Sequence, residues 1–319
     1  MLTRHKNIVI LVELRLVKFN KMVILIVEQK IDIVKRKKKG EKMSVISDII
    51  KDSRKIVIKL GSNVLSDDKG NANRELIASI AEQVHEMHKQ GKQVVIVSSG
   101  AGICGVGAIN KWSRRGDINY KQALCAIGQV ELMMAYKEHF AKYGTHVGQI
   151  LLTREDFEDS TRTLNIRNAL FTLVDEGVVP IINENDSVSV DEIKIGDNDT
   201  LSSLVATLWN ADSLIILSDI NGVYDKDPKT HKNAKLIEEI RDIDKELEHI
   251  DVSGKSSFGT GGIVCKIGAA RWVNQYGIPM LLLNGKKLFV IKSAAEGKET
   301  GTAFLENVEG YDCISEIDD

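Results

Sequence analysis

Two kinds of segment alternate along most of the chain. Short runs of β-branched and other apolar residues are followed by longer stretches in which apolar residues recur at helical spacing. Runs that are apolar throughout are typical of strands buried on both faces of a sheet, and their alternation with helices is typical of parallel β-α-β units. The runs predict strands over Lys55–Leu60, Gln93–Ser99, His146–Leu152, Val178–Asn183, Leu214–Ser218 and Pro279–Leu283.

The stretches between these strands carry the helical pattern. We therefore expect an α/β fold in which helices cover a parallel sheet. The polar, turn-rich segment 221–257 separates two apolar blocks, which indicates two lobes on one continuous sheet. Helices are predicted over Arg74–Gln90, Tyr120–Tyr143, Thr161–Glu176, Asp199–Asn210 and Ile263–Tyr276.

Charge is distributed unevenly over the 319 residues. Residues 1–42 hold 12 of the 43 Lys and Arg and 4 of the 45 Asp and Glu, so the remainder holds 31 basic and 41 acidic residues. A basic segment therefore precedes an acidic body. We expect residues 1–42 to be an extension outside the folded body, with Met43 as the natural start and disorder before about Ile46. Residues 309–319 form an acidic tail.

The basic extension does not predict a membrane anchor. Its apolar runs, Asn7–Val12 and Met22–Val27, fall well short of the roughly 18–20 apolar residues of a spanning helix. No small-residue cleavage site follows a single apolar core, so it is no signal peptide. The basic cluster Lys35–Lys39 could contact nucleic acid or anionic lipid, but a solvated segment is the simpler interpretation. We expect neither a membrane nor a nucleic acid as partner.

The spacing of the four cysteines indicates the kind of cellular compartment in which the protein is located. They are far apart and form no C-x-x-C pair, which argues against a disulfide framework and a zinc site. A reducing, cytoplasmic location is expected. The four are Cys104, Cys125, Cys265 and Cys313.

One stretch resembles a dinucleotide-binding turn. The segment from Val94 to Gly107, VVIVSSGAGICGVG, contains a G-x-G-x-x-G pattern at Gly100, Gly102 and Gly105. That turn should lead to a second strand with an acidic residue about 20 positions after the first glycine. Only Asp117 follows, in a polar segment without a strand. NAD and FAD binding are therefore not indicated.

A P-loop is also excluded. The tripeptide Gly254-Lys255-Ser256 could end a G-x-x-x-x-G-K-[ST] motif, but this motif requires a glycine at the position of His249. No apolar strand precedes it.

Other residues indicate a phosphate-handling site. Lys59 ends the first strand and is followed by Gly61 and Ser62, so a point charge and a close backbone approach coincide. The segment from Gly259 to Lys266, GTGGIVCK, opens an apolar helix, whose first amides favour an anion. Taken singly, each has a plainer interpretation, as a surface lysine or a flexible loop.

Two further clusters follow strands. GDNDTL, residues 196–201, begins a helix and offers Asp197 or Asp199 as its N-cap. NENDSV, residues 183–188, places amide and carboxylate groups after another strand, which capping does not require. Ligands of open α/β sheets bind beyond the carboxyl ends of strands, so these clusters belong to one edge.

Seven motifs lie one after another between about Ser53 and Phe304. In sequence and in order they resemble the motifs of the amino acid kinase family. Within that family the resemblance is closest to members that phosphorylate free L-glutamate. It implies a three-layer αβα sandwich with a mainly parallel sheet, a glutamate-binding lobe at 43–210 and an ATP-binding lobe at 211–308. The motifs are KLGSNVL, VSSGA, HVGQILLTREDFEDSTRTLNIRNAL, PIINENDSV, KIGDNDTLSSLVA, LSDINGVYDKDP and GTGGIVCK.

The chain departs from the family pattern in two ways. Gly102-Ile103-Cys104 replaces an aliphatic residue followed by small ones, which bears on the stiffness of that loop and on glutamate affinity. Many family members also carry a C-terminal domain resembling RNA-modification modules, and we expect this chain to hold the kinase domain alone.

The resemblance implies a phosphotransferase that uses ATP, with Mg²⁺ carried on its phosphates, to phosphorylate the γ-carboxylate of L-glutamate in the first step towards proline. It further implies proline as feedback inhibitor and a homo-oligomer, either dimer or tetramer, with no dedicated metal site. The implied catalytic residues are Lys59, Lys266 and Asp199, which orients the lysines. The implied glutamate ligands are Ser99, Gly100, Asp186, Asn198 and Asn183, and the glycines after Ser99 would let the backbone approach the glutamate carboxylate. The implied nucleotide ligands are Lys59, Gly61, Ser62, Ser218, Asp219, Thr260, Gly261, Gly262, Ile263, Val264, Cys265 and Lys266.

Three alternatives stay open at this point. A different family member would act on N-acetylglutamate or another acetylated amino acid, aspartate, carbamate or a nucleotide. A non-catalytic amino-acid sensor would lack a lysine or the aspartate, whereas Lys59, Lys266 and Asp199 are all present. A nucleic-acid binder would use the basic extension. The kinase hypothesis requires that Lys59 and Lys266 converge.

Overall fold

A central β-sheet organises the fold, as seen in a computed structural model. The structure describes residues 44–67, 69–110, 117–188, 197–228, 230–247 and 262–306. The strands are β1 Lys55–Leu60, β2 Gln93–Ser98, β3 Val147–Leu152, β4 Val179–Glu184, β5 Ser213–Ser218, β6 Val223–Tyr224, β7 Leu236–Ile237, β8 Glu239–Ile240, β9 Met280–Asn284 and β10 Thr302–Phe304.

Eight strands make the main sheet in the order β3-β4-β2-β1-β5-β9-β10-β8. The six strands from β3 to β9 in this order run parallel, β10 is antiparallel to β9, and β8 is parallel to β10. A separate antiparallel pair joins β6 and β7. All six predicted strands are confirmed, with ends that differ by at most one residue.

The five predicted helices are also confirmed, with ends that differ by at most two residues. Several shorter helices were missed, because apolar periodicity cannot be recognised over one or two turns. The helices are α1 Val45–Asp52, α2 Ser62–Leu65, α3 Arg74–Lys89, α4 Ala101–Ile109, α5 Ile118–Ala141, α6 Glu155–Glu158, α7 Ser160–Asp175, α8 Asn198–Trp209, α9 Ile243–Leu247, α10 Ile263–Asn274 and α11 Val290–Ala295.

Helices cover both faces of the sheet and form three layers. On one face, Ile56 and Ile58 of β1 join a core shared with α1, α3, α5 and α11. On the other face, Val57 of β1 joins a core shared with α7, α8 and α10. Successive side chains of a strand point to opposite faces, so Lys59 lies on the same face as Val57. The fold is the predicted αβα sandwich, and Lys59 faces the layer that contains α8 and α10.

Close packing of α4 against α5 explains part of the glycine pattern. A Cβ on Gly105 would lie 1.9 Å from the carbonyl oxygen of Leu124, and one on Gly128 would lie 1.8 Å from that of Ala101. A Cβ on Gly107 would lie 2.4 Å from the oxygen of Gly70. We expected the glycines of this stretch to admit a ligand to the backbone. For Gly105 and Gly107 the structure provides a different reason, since helix and loop contacts leave no room for a side chain.

The division of the folded body into two lobes near residue 210 stays a prediction. Strands β1–β4 lie on one side and β5, β8, β9 and β10 on the other, and the chain passes between them near residue 210. The assignment of glutamate and ATP to these halves stays a prediction. The predictions for residues 1–42, residues 309–319, Thr260 and Gly261 lie outside the described residues. Where the structure describes a helix, its length or polarity rules out a membrane span.

The α4–α5 contact predicts a steric effect on stability. Gly128→Ala should lower the free energy of unfolding by about 1–3 kcal/mol or more, because the added methyl group overlaps the Ala101 carbonyl. The matched control is Gly268→Ala in α10, where a Cβ would meet nothing within 4 Å and the free energy should rise by about 0.5–1 kcal/mol. Urea unfolding followed by circular dichroism measures both. Equal shifts would contradict the contact.

Candidate active site

The carboxyl ends of four neighbouring strands form one edge of the sheet. After β1 the chain continues to β2 on one side, and β5 later pairs with β1 on the other side. Ligands of open α/β sheets bind where the direction of winding reverses in this way. The polar residues that follow β1, β2, β4 and β5 therefore surround one such point.

Lys59, Asp199 and Lys266 form a buried ionic cluster at this edge. The Nζ atom of Lys59 lies 2.6 Å from Oδ1 of Asp199, and Nζ of Lys266 lies 3.0 Å from Oδ2. Relative exposure is 6% for Lys59, 4% for Lys266 and 0% for Asp199. Two lysines that are distant in sequence thus contact different oxygens of one carboxylate, as the kinase hypothesis requires.

The first turns of two helices place Asp199 and Lys266. Asp197 caps α8, since its Oδ1 accepts from the backbone N–H of Thr200 at 2.8 Å. Of the two predicted capping candidates it is therefore the cap, which leaves Asp199 to bind the lysines. Cys265 precedes Lys266. Burial, and to a smaller extent a hydrogen bond to Asp197, raises the pKa of the Cys265 thiol to about 12. The thiol therefore stays protonated and links the starts of α8 and α10.

Electrostatics keep Asp199 ionised. Burial alone would raise the pKa of this carboxyl, but the ammonium groups of Lys59 and Lys266 outweigh burial and hold the pKa below its usual range. One carboxylate between two ammonium groups leaves one positive charge in excess. A buried site with this balance favours an anionic ligand, because charge interactions are strong away from water.

Gly61, in the turn after β1, lies beside the Lys59 ammonium group. A Cβ on Gly61 would lie 3.7 Å from Lys59 Nζ and 3.3 Å from the carbonyl oxygen of Leu217. The N–H of Gly61 donates to that same oxygen at 3.1 Å. We expected Gly61 to donate this N–H to a phosphate, and in this structure the donor is already used. Ser62 begins α2 directly after it.

Asn198 connects the ends of two strands, β2 and β4. Its Nδ2 donates to the carbonyl oxygen of Ser98 at 3.0 Å, to Oγ of Ser99 at 2.8 Å and to Oδ1 of Asn183 at 2.9 Å. Ser99 and Asn198 are therefore adjacent, as expected for two ligands of one substrate. Gly100 follows with φ of 90° and immediately precedes α4, so the chain turns sharply there.

Asn183 lies near the end of β4, and Asp186 follows the strand. Asn183 is 1% exposed and lies behind Asn198, to which it contributes an acceptor. Asp186 lies half-buried in the turn after the strand. The predicted glutamate ligands are thus distributed over the ends of β2 and β4 and the start of α8.

On the other side of β1, Ser218 ends β5 and Asp219 follows it. Asp219 accepts from Nδ2 of Asn63 at 3.0 Å and from Oγ of Ser218 at 3.2 Å. Burial would raise the pKa of Asp219, but the hydrogen bond from Asn63, together with weaker contributions, holds it below its usual range. This carboxylate ties the turn after β1 to the end of β5.

The predicted nucleotide loop is described only from Gly262 onward. Gly262 is the N-cap of α10, Ile263 and Cys265 are half-buried, and Val264 is 64% exposed. The backbone N–H groups at this helix start are of the kind that bind phosphate. In the described part of the chain, no three His, Cys, Asp or Glu side chains gather as a potential metal site.

Sequence reasoning missed three residues near this edge. Gln129 of α5 accepts from Asn183, Tyr136 of α5 donates to Oγ of Ser98 at 3.0 Å, and Asn63 donates to Asp219. Gln129 and Tyr136 are polar groups on the buried face of a long helix, which is the one signal that could have indicated them.

Curated relatives agree with the resemblance. A glutamate 5-kinase of Alkaliphilus oremlandii (strain OhILAs) is 58% identical over 82% of this chain and 99% of that protein. A glutamate 5-kinase of Alkaliphilus metalliredigens (strain QYMF) is 57% identical over 82% of this chain and 98% of that protein. A third, from Geobacter metallireducens, is 47% identical over 81% of this chain and 69% of that protein.

Solved structures share the fold at low sequence identity. A UMP kinase from Bacillus anthracis has a TM-score of 0.56 at 17% identity, covering 80% of this chain and 97% of its own. The carbamate kinase from Giardia lamblia bound to AMP-PNP has a TM-score of 0.57 at 19% identity, covering 80% and 99%. The sequence profile of the amino acid kinase family matches residues 54–284. The chain therefore belongs to the amino acid kinase family.

Proposed function

We propose that this protein is a glutamate 5-kinase. It uses ATP to phosphorylate the γ-carboxylate of L-glutamate, which yields L-glutamyl 5-phosphate for the first step of proline biosynthesis. The 58% identical relative supports the substrate. The observation that carries the chemistry is the buried cluster in which Lys59 and Lys266 contact one carboxylate, Asp199.

The reaction requires charge neutralisation more than proton transfer. An oxygen of the γ-carboxylate attacks the γ-phosphorus of ATP, a C–O–P linkage forms, and the bond to the bridging oxygen of ADP breaks. The attacking carboxylate is already ionised at neutral pH, so no general base is needed. Two anions must instead approach each other, which the excess positive charge of the cluster favours.

In this proposal Lys59 and Lys266 stabilise the charge on the phosphoryl group during transfer. Each ammonium carries three N–H donors, so contact with Asp199 does not exhaust them. Asp199 holds the two groups close despite their mutual repulsion and stays ionised throughout. Because the cluster is buried, little reorganisation is needed at the moment of transfer.

Glutamate is proposed to bind beside Ser99 and Asn198, with its α-ammonium group near Asp186. Carboxylate and amide oxygens accept from an ammonium group, and Gly100 allows close backbone approach to the α-carboxylate. The adjacency of Ser99 and Asn198, whose side chains are 2.8 Å apart, supports this assignment.

ATP is proposed to bind between the end of β5 and the start of α10. Ser218, Asp219 and the first turn after Gly262 lie at that edge. Both oxygens of Asp199 contact ammonium groups, which leaves no acidic ligand for a metal within the cluster. This donor set fits Mg²⁺ held through the phosphates of ATP, where it neutralises phosphate charge.

Regulation, assembly and location are further parts of the proposal. Proline carries the same α-carboxylate and a secondary ammonium group, which supports inhibition at the glutamate subsite. Val130 and Met134 on α5 are 58% and 55% exposed, and exposed apolar groups on one helix support a homo-oligomer. The expected dependence on ATP and glutamate supports a cytoplasmic location.

Acceptor profiling tests the substrate. With ATP and hydroxylamine, L-glutamate should yield γ-glutamyl hydroxamate, because the acyl phosphate is trapped. N-acetylglutamate, aspartate, carbamate and UMP should support at least about tenfold lower kcat/KM, the scale of one lost charged contact. ADP release measured for each acceptor checks this. A preference for N-acetylglutamate would point to a different family member.

Removal of either lysine should slow turnover. Lys59→Ala or Lys266→Ala should lower kcat by about two orders of magnitude or more, because one preorganised charge stabiliser is lost. The matched control is Lys92→Ala, a buried lysine whose Nζ donates to the carbonyl oxygens of Ile50, Lys51 and Ser53. It should lose stability and retain kcat. Normal turnover in folded Lys266→Ala would exclude its proposed role.

Substitution of Asp186 should weaken the binding of glutamate more than the binding of ATP. Asp186→Ala should raise the KM for glutamate by about tenfold or more, the scale of a charge-assisted hydrogen bond, and leave the KM for ATP within about twofold. Initial rates with each substrate varied in turn provide the measurement. Equal increases in both constants would argue against a contact with glutamate.

A further inference from the structure

A buried glutamine supports the proposed glutamate subsite. Gln129 lies on α5 and is 8% exposed, and its Oε1 accepts from Nδ2 of Asn183 at 2.8 Å. The neighbouring Gly128 allows α5 to contact α4 closely, which places Gln129 behind the end of β4. The mechanism described above does not use this residue.

Gln129, Asn183 and Asn198 form a chain of three side-chain amides. Asn183 donates to Gln129, and Asn198 donates to Oδ1 of Asn183 at 2.9 Å. Two backbone groups determine the direction of this chain. The N–H of Glu184 donates to Oδ1 of Asn183 at 2.9 Å, and the carbonyl of Ser98 accepts from Asn198 at 3.0 Å.

The direction of the chain follows from these two backbone groups. A backbone N–H only donates and a carbonyl only accepts, so neither Asn183 nor Asn198 can be turned over without two donors or two acceptors facing each other. Asn183 must then present its amino group to Gln129, which supplies the acceptor. Without that acceptor, the amino group of Asn183 would lose its partner inside the protein.

This arrangement leaves two buried atoms unpaired. Within the described residues, Oδ1 of Asn198 and Nε2 of Gln129 have no hydrogen-bond partner. A buried polar atom without a partner is costly, and such atoms are usually satisfied by a ligand or a water molecule. The free atom of Asn198 is an acceptor, which matches the N–H donors of an α-ammonium group.

We propose that Gln129 is a positioning residue that sets the preference for a free α-ammonium group. The two backbone groups fix which way the asparagine amides face. Gln129, by accepting from Asn183, holds the pair in the position at which Oδ1 of Asn198 is an acceptor for the substrate. This inference rests on the proposed function, in which the α-ammonium group lies near Asp186, and it adds Oδ1 of Asn198 as a second acceptor for that group.

The test compares glutamate with glutarate, which has the same two carboxylates and no α-amino group. The measured quantity is the inhibition constant of glutarate divided by the KM for glutamate. Gln129→Met should reduce this ratio about tenfold, the change expected for one hydrogen bond to a charged group. The inhibition constant of glutarate itself should change by less than about twofold, since glutarate lacks the affected contact.

A second buried glutamine provides the matched control. Gln83 in α3 donates to the carbonyl oxygen of Ser79 at 3.1 Å and accepts from the backbone N–H of Lys292 at 3.1 Å. Gln83→Met should lower the unfolding temperature as Gln129→Met does and leave the ratio unchanged. A reduced ratio in Gln83→Met would show that general loosening explains the effect, and would overturn the inference.

One further variant separates positioning from packing. Gln129→Glu keeps an acceptor of the same reach, so it should not reduce the ratio, even if Gln129→Met is too unstable to assay.

The outcomes distinguish the two proposals. Wild-type protein that does not phosphorylate glutamate would overturn the proposed function. Wild-type protein that phosphorylates glutamate, together with an unchanged ratio in folded Gln129→Met, would overturn this inference alone. A ratio that falls equally in Gln129→Glu and Gln129→Met would also overturn it, because the acceptor would then be irrelevant.

Discussion

The ion pairs of Asp199 with Lys59 and Lys266 constrain the arrangement of the whole site. Burial of two like charges is unfavourable unless a counter-charge is nearby, and here both oxygens of one fully buried carboxylate provide it. The cluster requires that β1, α8 and α10 meet at one point. The mainly parallel sheet satisfies this requirement, since strand ends and helix starts share one edge.

The two layers of helices that cover the sheet contribute differently to the site, and this difference follows from β1. Its residues alternate between the two cores, and the alternation brings Lys59 to the face covered by α8 and α10. The opposite layer contains α4 and α5, and Gln129 and Tyr136 of α5 contact side chains at the ends of β4 and β2. One layer therefore supplies the charges, and the other supports the groups proposed to bind glutamate.

Much of this arrangement was predictable from the sequence. Apolar runs and helical spacing predicted six strands and five helices, because burial imposes these patterns on the chain. The family resemblance pointed to Lys59, Asp199 and Lys266, which the structure brings into contact. The roles of Gly105 and Gly107 were not predictable, since a close contact between α4 and α5 depends on tertiary packing. Gln129 was missed for the same reason: its partner, Asn183, lies 54 positions further along the chain. Which of Asp197 and Asp199 caps α8 could likewise be decided only from the positions of Lys59 and Lys266 in the structure.

The glycine contacts between α4 and α5 have a mechanical consequence. Because Gly105 and Gly128 bring one backbone against the other, the two helices cannot slide past each other without a steric clash. We expect them to move as one unit, with Gly100 at one end and Gln129 within it. Any displacement of Gly100 at the end of β2 would therefore also move Gln129, so adaptation to ligands of different size has to come from elements outside this pair.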